Sequence, residues 1–215
     1  RNPALRGRRT LDMLDALCDA AEERTGDARE DLVVGFGVLC HDLGKAVSTT
    51  VGDDGKIRSH GHESSGVGLT ESFLGRLTNQ RNLVAEVTPL VAEHMRPTSL
   101  FQARSSDAAV RRLAARVKRI DRLVRVARAD VFGRPPLPAG DYPAGDWLLE
   151  VAAGLGLENS TPDPILLGRH LMAEGLEPGP AFGEILKRCF EAQLEGRFTD
   201  ESGGLAYLKQ LLRNR

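Results

Sequence analysis

The chain has 215 residues, of which 41% are hydrophobic and 5% aromatic, and its 29 Lys and Arg balance 30 Asp and Glu to a net charge of −1. This length can fill one good hydrophobic core or two small ones. The charge balance gives no overall attraction to nucleic acid or to a membrane surface, although local basic patches stay compatible with it. No apolar run approaches the roughly 20 residues that span a bilayer, so we expect no membrane partner.

The cysteines indicate a reducing compartment. Cys18, Cys40 and Cys189 lie far apart without a CxxC pair, and the first two sit among apolar residues. This favours reduced core thiols in a cytoplasmic protein over a structural disulfide. The first residues show neither an initiator Met nor the apolar core of a signal peptide, and we expect them to be the interior of a longer chain.

The residue pattern predicts an all-α fold, a helical bundle with a smaller helical tail. Ala, Leu, Val and Arg dominate, and few segments alternate with the period of two that strands need. In chain order, the first half is predicted to form helices over 10–24, 31–43, 63–77, 83–94, 107–117 and 120–131. Gly44 is expected to end the second helix and Arg96-Pro97 to close the fourth, while Gly52-Asp53-Asp54-Gly55 reads as a loop or small hairpin.

A break separates the two parts of the chain. Four prolines and three glycines between Phe132 and Asp146 predict a long loop or hinge. Beyond it we predict a short helix from Trp147 and helices over 165–174, 182–195 and 200–213. The layout predicts residues 1–134 as one helical domain, 135–146 as a hinge loop and 147–215 as a helical tail.

The candidate chemistry centres on the sequence CHDLGK at 40–45. His41 and Asp42, side by side at the end of a core helix, present an imidazole and a carboxylate that suit a hard or borderline divalent metal. A lone His-Asp pair is common and could merely cap a helix. The same pair directly after a continuous apolar helix is much more specific, so we interpret it as functional.

Further metal-competent groups follow at helix ends. His60-Gly61-His62-Glu63 comes after the predicted loop, His94 ends a later helix and Asp130 lies near the end of another. Each has a structural alternative: a helix N-cap for the first segment, a packed core histidine for His94, and a surface pair with a neighbouring Arg for Asp130. A set drawn from successive helices can nevertheless surround one or two metal ions within a bundle.

These motifs carry a family resemblance. HDLGK, HGHE, EHMRP and ADVFGR, followed by DYP and a Trp, resemble the HD domain of bacterial CCA-adding tRNA nucleotidyltransferases. Residues 164–169, 178–183 and 191–196 resemble the end of that family's body, so the resemblance spans nearly the whole chain. It implies a metal-dependent phosphohydrolase that acts on 2',3'-cyclic phosphates, 2'-phosphates and simple phosphoesters.

The chain departs from that family in two ways. The polymerase head, with its strand-borne carboxylate pair, is not among these residues, so we expect this chain not to add nucleotides. The resemblance also implies an earlier His on the first helix, yet Arg6 lies near that place and no His precedes His41. We therefore expect metal binding to be weakened.

The interpretation assigns roles residue by residue. The expected cofactor is a divalent metal (Mg, Mn, Ni or Co), which would supply an activated water for attack on phosphorus, and Asp42 and Lys45 are the candidate catalytic residues. Lys45, Arg96 and Arg134 offer positive charge to phosphate oxygens, with ordinary solvated charge as the alternative, and His60 is a candidate substrate contact. The predicted metal ligands are His41, Asp42, His62, His94 and Asp130.

Two other functions stay open. A stand-alone nucleotidase for free nucleotides would share every ligand, and only a substrate panel separates it. An RNA-binding body with a degenerate site would instead use a basic run over two helices, binding tRNA in a salt-dependent way, although this run can also be an ordinary solvated face. The partners we expect are a nucleotide or RNA phosphoester substrate and tRNA, and the sequence leaves the oligomeric state open. The basic run over the two helices consists of Arg111, Arg112, Arg116, Lys118, Arg119, Arg122, Arg125 and Arg128.

Overall fold

The structure, a computed structural model, describes residues 25–133 and 140–214. The predicted helix over 10–24, Cys18 and Arg134 lie outside the described residues. Within the described part the chain is mainly helical, which confirms the predicted all-α fold class. The first half contains α1 (Ala28–Cys40), α2 (Lys45–Ser48), α3 (His62–Gly75), α4 (Arg81–Glu93), α5 (Arg96–Gln102), α6 (Asp107–Val117) and α7 (Ile120–Phe132). The second half contains α8 (Pro143–Gly154), α9 (Gly168–Ala173), α10 (Pro180–Leu194) and α11 (Glu201–Arg213).

Helix α1 leads into the candidate site. The Asp27 side chain caps it by accepting hydrogen bonds from the backbone N–H groups of Arg29 and Glu30. The helix ends at Cys40, three residues earlier than predicted, and residues 41–44 form turns instead. His41 and Asp42 are thus freed from the helix and project from its end.

A short hairpin and an extra helix complete the first half. Strands β1 (Thr50–Val51) and β2 (Ile57–Arg58) pair antiparallel, which confirms the predicted small hairpin. The prediction at Arg96-Pro97 was incomplete: α4 does end just before it, but α5 starts there. Proline is tolerated in the first turn of a helix because the N–H it lacks has no partner there anyway.

The described residues build two hydrophobic cores. The first is made by α1 and α3 to α8, and the second by α9, α10 and α11. Helix α8 belongs to the first core through the fully buried Leu148 and Ala152, although the predicted boundary placed it with the tail. The division into domains stays a prediction. Arg112 of α6 bridges the two cores by pairing with Glu191 and Glu195 of α10.

Helices α1 and α7 approach each other closely at Gly37. A Cβ atom there would lie 2.8 Å from Cγ2 of Val126, so a larger residue would require Val126 to shift. The contact matters for the site because the C-terminal ends of the same helices carry His41 and Asp130. In the described residues, no helix combines the length and the apolar character needed to cross a bilayer.

Candidate metal centre

Three side chains from two helix ends meet beside the first core. His41 follows the last residue of α1, Asp42 lies in the adjoining turn, and Asp130 comes from the last turn of α7. The Nε2 atom of His41 lies 3.3 Å from Oδ2 of Asp42 and 3.3 Å from Oδ1 of Asp130. The structure therefore brings together residues that are far apart in the sequence.

Two further histidines border the same point. His62 is the first residue of α3 and His94 directly follows α4; both are buried. Nε2 of His62 lies 3.3 Å from Nε2 of His94 and 3.3 Å from Oδ1 of Asp42. Asp42 is therefore shared by two groups of metal-competent atoms, one with His41 and Asp130 and the other with His62 and His94.

Backbone carbonyl groups orient all three imidazoles in the same way. The Nδ1 atoms of His41, His62 and His94 lie 2.7, 2.8 and 2.7 Å from the carbonyl oxygens three residues earlier, those of Val38, Ser59 and Val91. Because a carbonyl oxygen can only accept, each Nδ1 must carry its hydrogen. In the neutral tautomer each Nε2 then presents a bare lone pair to the centre, as in histidines that bind metal.

This arrangement favours positive charge at the centre. Two Nε2 lone pairs that face each other at 3.3 Å repel unless a proton or a metal ion lies between them, and the same holds for His41 against its two carboxylates. Oδ1 of Asp42 is buried and has no hydrogen bond within the described residues. An unpaired buried carboxylate oxygen is costly. The mixed imidazole and carboxylate donor set therefore fits a divalent metal.

The electrostatics of the site agree with this conclusion. Burial of His41 favours its neutral form, but the hydrogen-bonded carboxylates of Asp130 and Asp42 outweigh burial and raise the pKa of His41 to about 10. Burial likewise opposes the charge on Asp42, yet His41 and Lys45 hold the pKa of this carboxyl far below its usual range. Burial, aided by the charge on His41, lowers the pKa of His94. The two carboxylates thus attract positive charge while His94 stays neutral and able to ligate.

Gly44 sets the distance between the His-Asp turn and α3. A Cβ atom at this position would lie 1.9 Å from the carbonyl oxygen of His62 and 2.7 Å from the backbone nitrogen of Gly66. The sequence predicted that Gly44 would end the second helix, but its φ of −62° is not the left-handed conformation of a glycine helix cap. The glycine is needed for close backbone approach, which brings His62 up to Asp42.

The predicted catalytic and substrate-binding residues differ in their contacts and in their exposure. Lys45 donates a hydrogen bond from Nζ to Oδ2 of Asp42 and is partly exposed. Arg96 pairs with Glu93 at 3.2 Å, and its side chain is half exposed. His60 is exposed and belongs to neither group of metal-competent atoms found among the described residues. The roles of all the predicted site residues stay predictions.

A cavity of about 210 Å³ opens beside His94 and Asp130. Sequence reasoning missed Thr98, Gln102 and Tyr142, which also line it. The hydroxyl groups of Thr98 and Tyr142 lie 3.2 Å apart. Tyr142 belongs to the DYP segment, but nothing in its local sequence indicates that it faces the metal-competent residues, because that contact depends on how α5 and α8 pack.

The fold and these residues define a helical protein with a candidate centre for a divalent metal. Comparison with known proteins adds a relationship: the chain is 30% identical over 186 residues, 84% of its length, to the A-adding tRNA nucleotidyltransferase of Deinococcus radiodurans. It is therefore related to the tRNA nucleotidyltransferases. The chain spans 42% of the length of that relative. No protein-family model and no solved structure matched the chain.

Proposed function

We propose that the chain is a divalent-metal-dependent phosphohydrolase of the HD type that acts on 2',3'-cyclic phosphates, 2'-phosphates and simple phosphoesters. One observation carries this proposal. Three imidazoles, each fixed through Nδ1 by a backbone carbonyl, present Nε2 to two adjoining groups of metal-competent atoms that share Asp42, one of them completed by Asp130. Metal-binding histidines almost always donate their second ring N–H in this way, which leaves Nε2 free to ligate.

We assign a separate role in metal binding or catalysis to each residue of the site. His41, Asp42 and Asp130 would hold one ion, and His62 and His94 would hold a second ion or contact a substrate phosphate. When bound, a divalent ion supplies Lewis-acid chemistry that activates water and polarises a phosphoryl group. Asp42 is the catalytic candidate because its two oxygens face both groups of ligands. Lys45 Nζ, beside Oδ2 of Asp42 at the rim, can donate to a phosphoryl oxygen and offset developing charge.

The relationship to a tRNA nucleotidyltransferase supports an RNA or nucleotide substrate, with tRNA as a partner. The predicted basic run is a weak candidate for the RNA-binding face because most of its cations are already neutralised. Arg112 and Arg116 pair with glutamates of α10 and α4, and Arg119 and Arg122 pair with Glu30. An RNA-binding body without hydrolytic activity is therefore less well supported than a hydrolase.

A substrate panel with added metals tests the proposal. Adenosine 2'-monophosphate, a 2',3'-cyclic nucleotide and p-nitrophenyl phosphate are incubated with Mg²⁺, Mn²⁺, Co²⁺ or Ni²⁺, and in parallel with EDTA. We expect metal-dependent release of phosphate, or opening of the cyclic ester, that EDTA abolishes. Turnover that survives EDTA, or no turnover together with no bound metal, would reject the hydrolase.

A pair of histidine variants distinguishes an effect on the metal site from an effect on folding. His94→Gln should lose most of the turnover while keeping the wild-type circular dichroism spectrum. His170→Gln is the matched control, because His170 is also buried but lies in α9, next to Leu171 of the second core, where its Nδ1 accepts a hydrogen bond from the backbone of Leu167. The control should lower stability and leave metal affinity unchanged. Unchanged turnover in His94→Gln would make His94 a structural histidine.

A further inference from the structure

A second cavity adjoins the one beside the metal centre. Its volume is about 400 Å³, and Phe101, Arg104, Ser105 and Trp147 line it. Gln102 lines both this cavity and the smaller one at His94 and Asp130. Together the two fall within the range of about 300 to 1,000 Å³ that is typical of small-molecule sites. Residues of α5 line both cavities, so they lie next to each other along this helix.

The larger of the two cavities carries an aromatic pair. The rings of Phe101 and Trp147 lie 5.9 Å apart, centroid to centroid, at an interplanar angle of 56°. Phe101 is 41% exposed, so part of this residue is open to solvent beside the cavity. An exposed ring beside a cavity is unfavourable in water, and stacking with a flat base would cover it.

A cation lies beside the aromatic pair. Arg104 is exposed, and among the described residues its side chain has no ion-pair partner. Its backbone φ of 48° is that of a residue that closes a helix, since the N–H of Ser105 donates to the carbonyl of Leu100 across the end of α5. An unpaired guanidinium next to two aromatic rings suits a nucleotide, because it can stack on a base or contact a phosphate.

We propose that the two cavities form a nucleoside subsite of the proposed hydrolase. The phosphoester lies at the metal centre, the ribose fills the cavity lined by Thr98, Gln102 and Tyr142, and the base stacks on Phe101 beside Trp147. Helix α5 rises by roughly 10 Å over its seven residues at about 1.5 Å per residue, which is the scale of one nucleotide. This inference rests on the proposed function and makes nucleoside phosphoesters the preferred substrate class over simple phosphoesters.

The chain offers a direct probe of this subsite, since Trp147 is its single tryptophan. Stopped-flow fluorescence in Mg²⁺ follows binding of adenosine 2'-monophosphate before turnover, with glycerol 2-phosphate as the ester that lacks a base. The variants are Phe101→Leu, which removes the ring, and Phe101→Tyr, which keeps it. Leu77→Ala is the control, because Leu77 is also an exposed apolar residue but is far from α5 in sequence and lines neither cavity.

We expect adenosine 2'-monophosphate to quench the fluorescence of Trp147 and to bind more tightly than glycerol 2-phosphate. Phe101→Leu should raise the Kd for the nucleotide about tenfold, within the range that loss of one base–aromatic stack produces. The same variant should lower, by a similar factor, the ratio of kcat/KM for the nucleotide to that for glycerol 2-phosphate. Phe101→Tyr should restore most of this preference, and Leu77→Ala should behave as wild type.

Two results would overturn the subsite: no change in Trp147 fluorescence with the nucleotide, or a wild-type preference for the nucleotide in Phe101→Leu. Because binding is measured separately from turnover, this failure differs from failure of the hydrolase. Quenching that depends on Phe101 without any metal-dependent hydrolysis supports the nucleoside subsite and rejects the hydrolase. Hydrolysis without preference for the nucleotide rejects the subsite alone.

Discussion

Replacing Gly44 with Ala should disrupt the candidate site through the backbone alone. The added Cβ would lie 1.9 Å from the carbonyl oxygen of His62, and ordinary contact begins at 3.4 Å. The His-Asp turn and the start of α3 must therefore separate by about 1.5 Å, the difference between these two distances. No side-chain rotation can relieve the clash, because the nearest atoms all belong to the backbone of His62 and Gly66.

The expected cost has two parts. Overpacking of this kind destabilises a protein by about 1 to 3 kcal/mol, and a protein of this size loses roughly 2 to 4 °C in Tm for each kcal/mol. Gly44→Ala should therefore unfold roughly 2 to 12 °C below wild type. His62 moves with the start of α3, away from Asp42, and we expect metal affinity to fall by about 10- to 100-fold, the usual cost of disturbing a ligand's support.

Thermal unfolding in EDTA, followed by titration with Mn²⁺, measures both parts. Gly68→Ala is the matched control. Gly68 lies in α3, the helix that Gly44 contacts, and a Cβ atom on it would have no heavy atom within 4 Å. Because alanine is a better helix former than glycine, the control should gain about 0.5 to 1 kcal/mol. If Gly44→Ala has the same Tm as Gly68→Ala and binds Mn²⁺ as tightly as wild type does, close backbone approach at Gly44 does not constrain the site.

Three further predictions concern the ligands and the ion pairs that support them. Asp130→Asn keeps the shape of the side chain but removes its charge, and it should weaken Mn²⁺ binding by at least about tenfold in a calorimetric titration; unchanged binding would contradict its role as a ligand. Mn²⁺ at about 100 times its Kd should stabilise the wild-type chain by about 2.7 kcal/mol in urea unfolding, and no stabilisation would argue against a folded metal site. The hydrogen bond from Arg122 holds the pKa of Glu30 below its usual value. The ion pair of Glu30 therefore contributes its full stabilisation above the pKa of about 4.3 that a glutamate has in the unfolded chain. This contribution is lost as the pH falls through the lower pKa of the folded chain. The free energy of unfolding, measured in urea, should accordingly fall more between pH 6 and pH 3 in wild type than in Glu30→Gln. Equal decreases would contradict the prediction.

The fold and the metal-competent residues were largely predictable because their signals are local. A continuous apolar helix followed by a polar pair predicted that His41 and Asp42 would stand at a helix end. The same reasoning placed His94 and Asp130 at helix ends, where the structure has them. Even the orientation of the imidazoles is local, since each Nδ1 donates to the carbonyl oxygen three residues earlier.

Features that depend on two elements meeting in space could not be predicted. Gly44 looked like a helix cap, because its real constraint is the backbone of α3 across the site. Helix α5 was missed since Pro97 suggested an end rather than a start. The pairing of Phe101 with Trp147 arises only where α5 packs on α8, and neither residue has a neighbour in the sequence that points to the other.

The basic run shows why a count of charges could not identify its role. Arg122 of α7 pairs with Glu30 of α1 and with Glu86 of α4, and Arg29 of α1 also pairs with Glu86. These ion pairs thus connect the three helices that deliver His41, His94 and Asp130. They lie near the start of α1 and α7, whereas the candidate ligands lie at the opposite ends. A surface pair contributes little by itself, but a partly buried network that joins three helices restrains their relative positions. Arg122 is therefore better explained by the packing of these three helices than by an RNA-binding face.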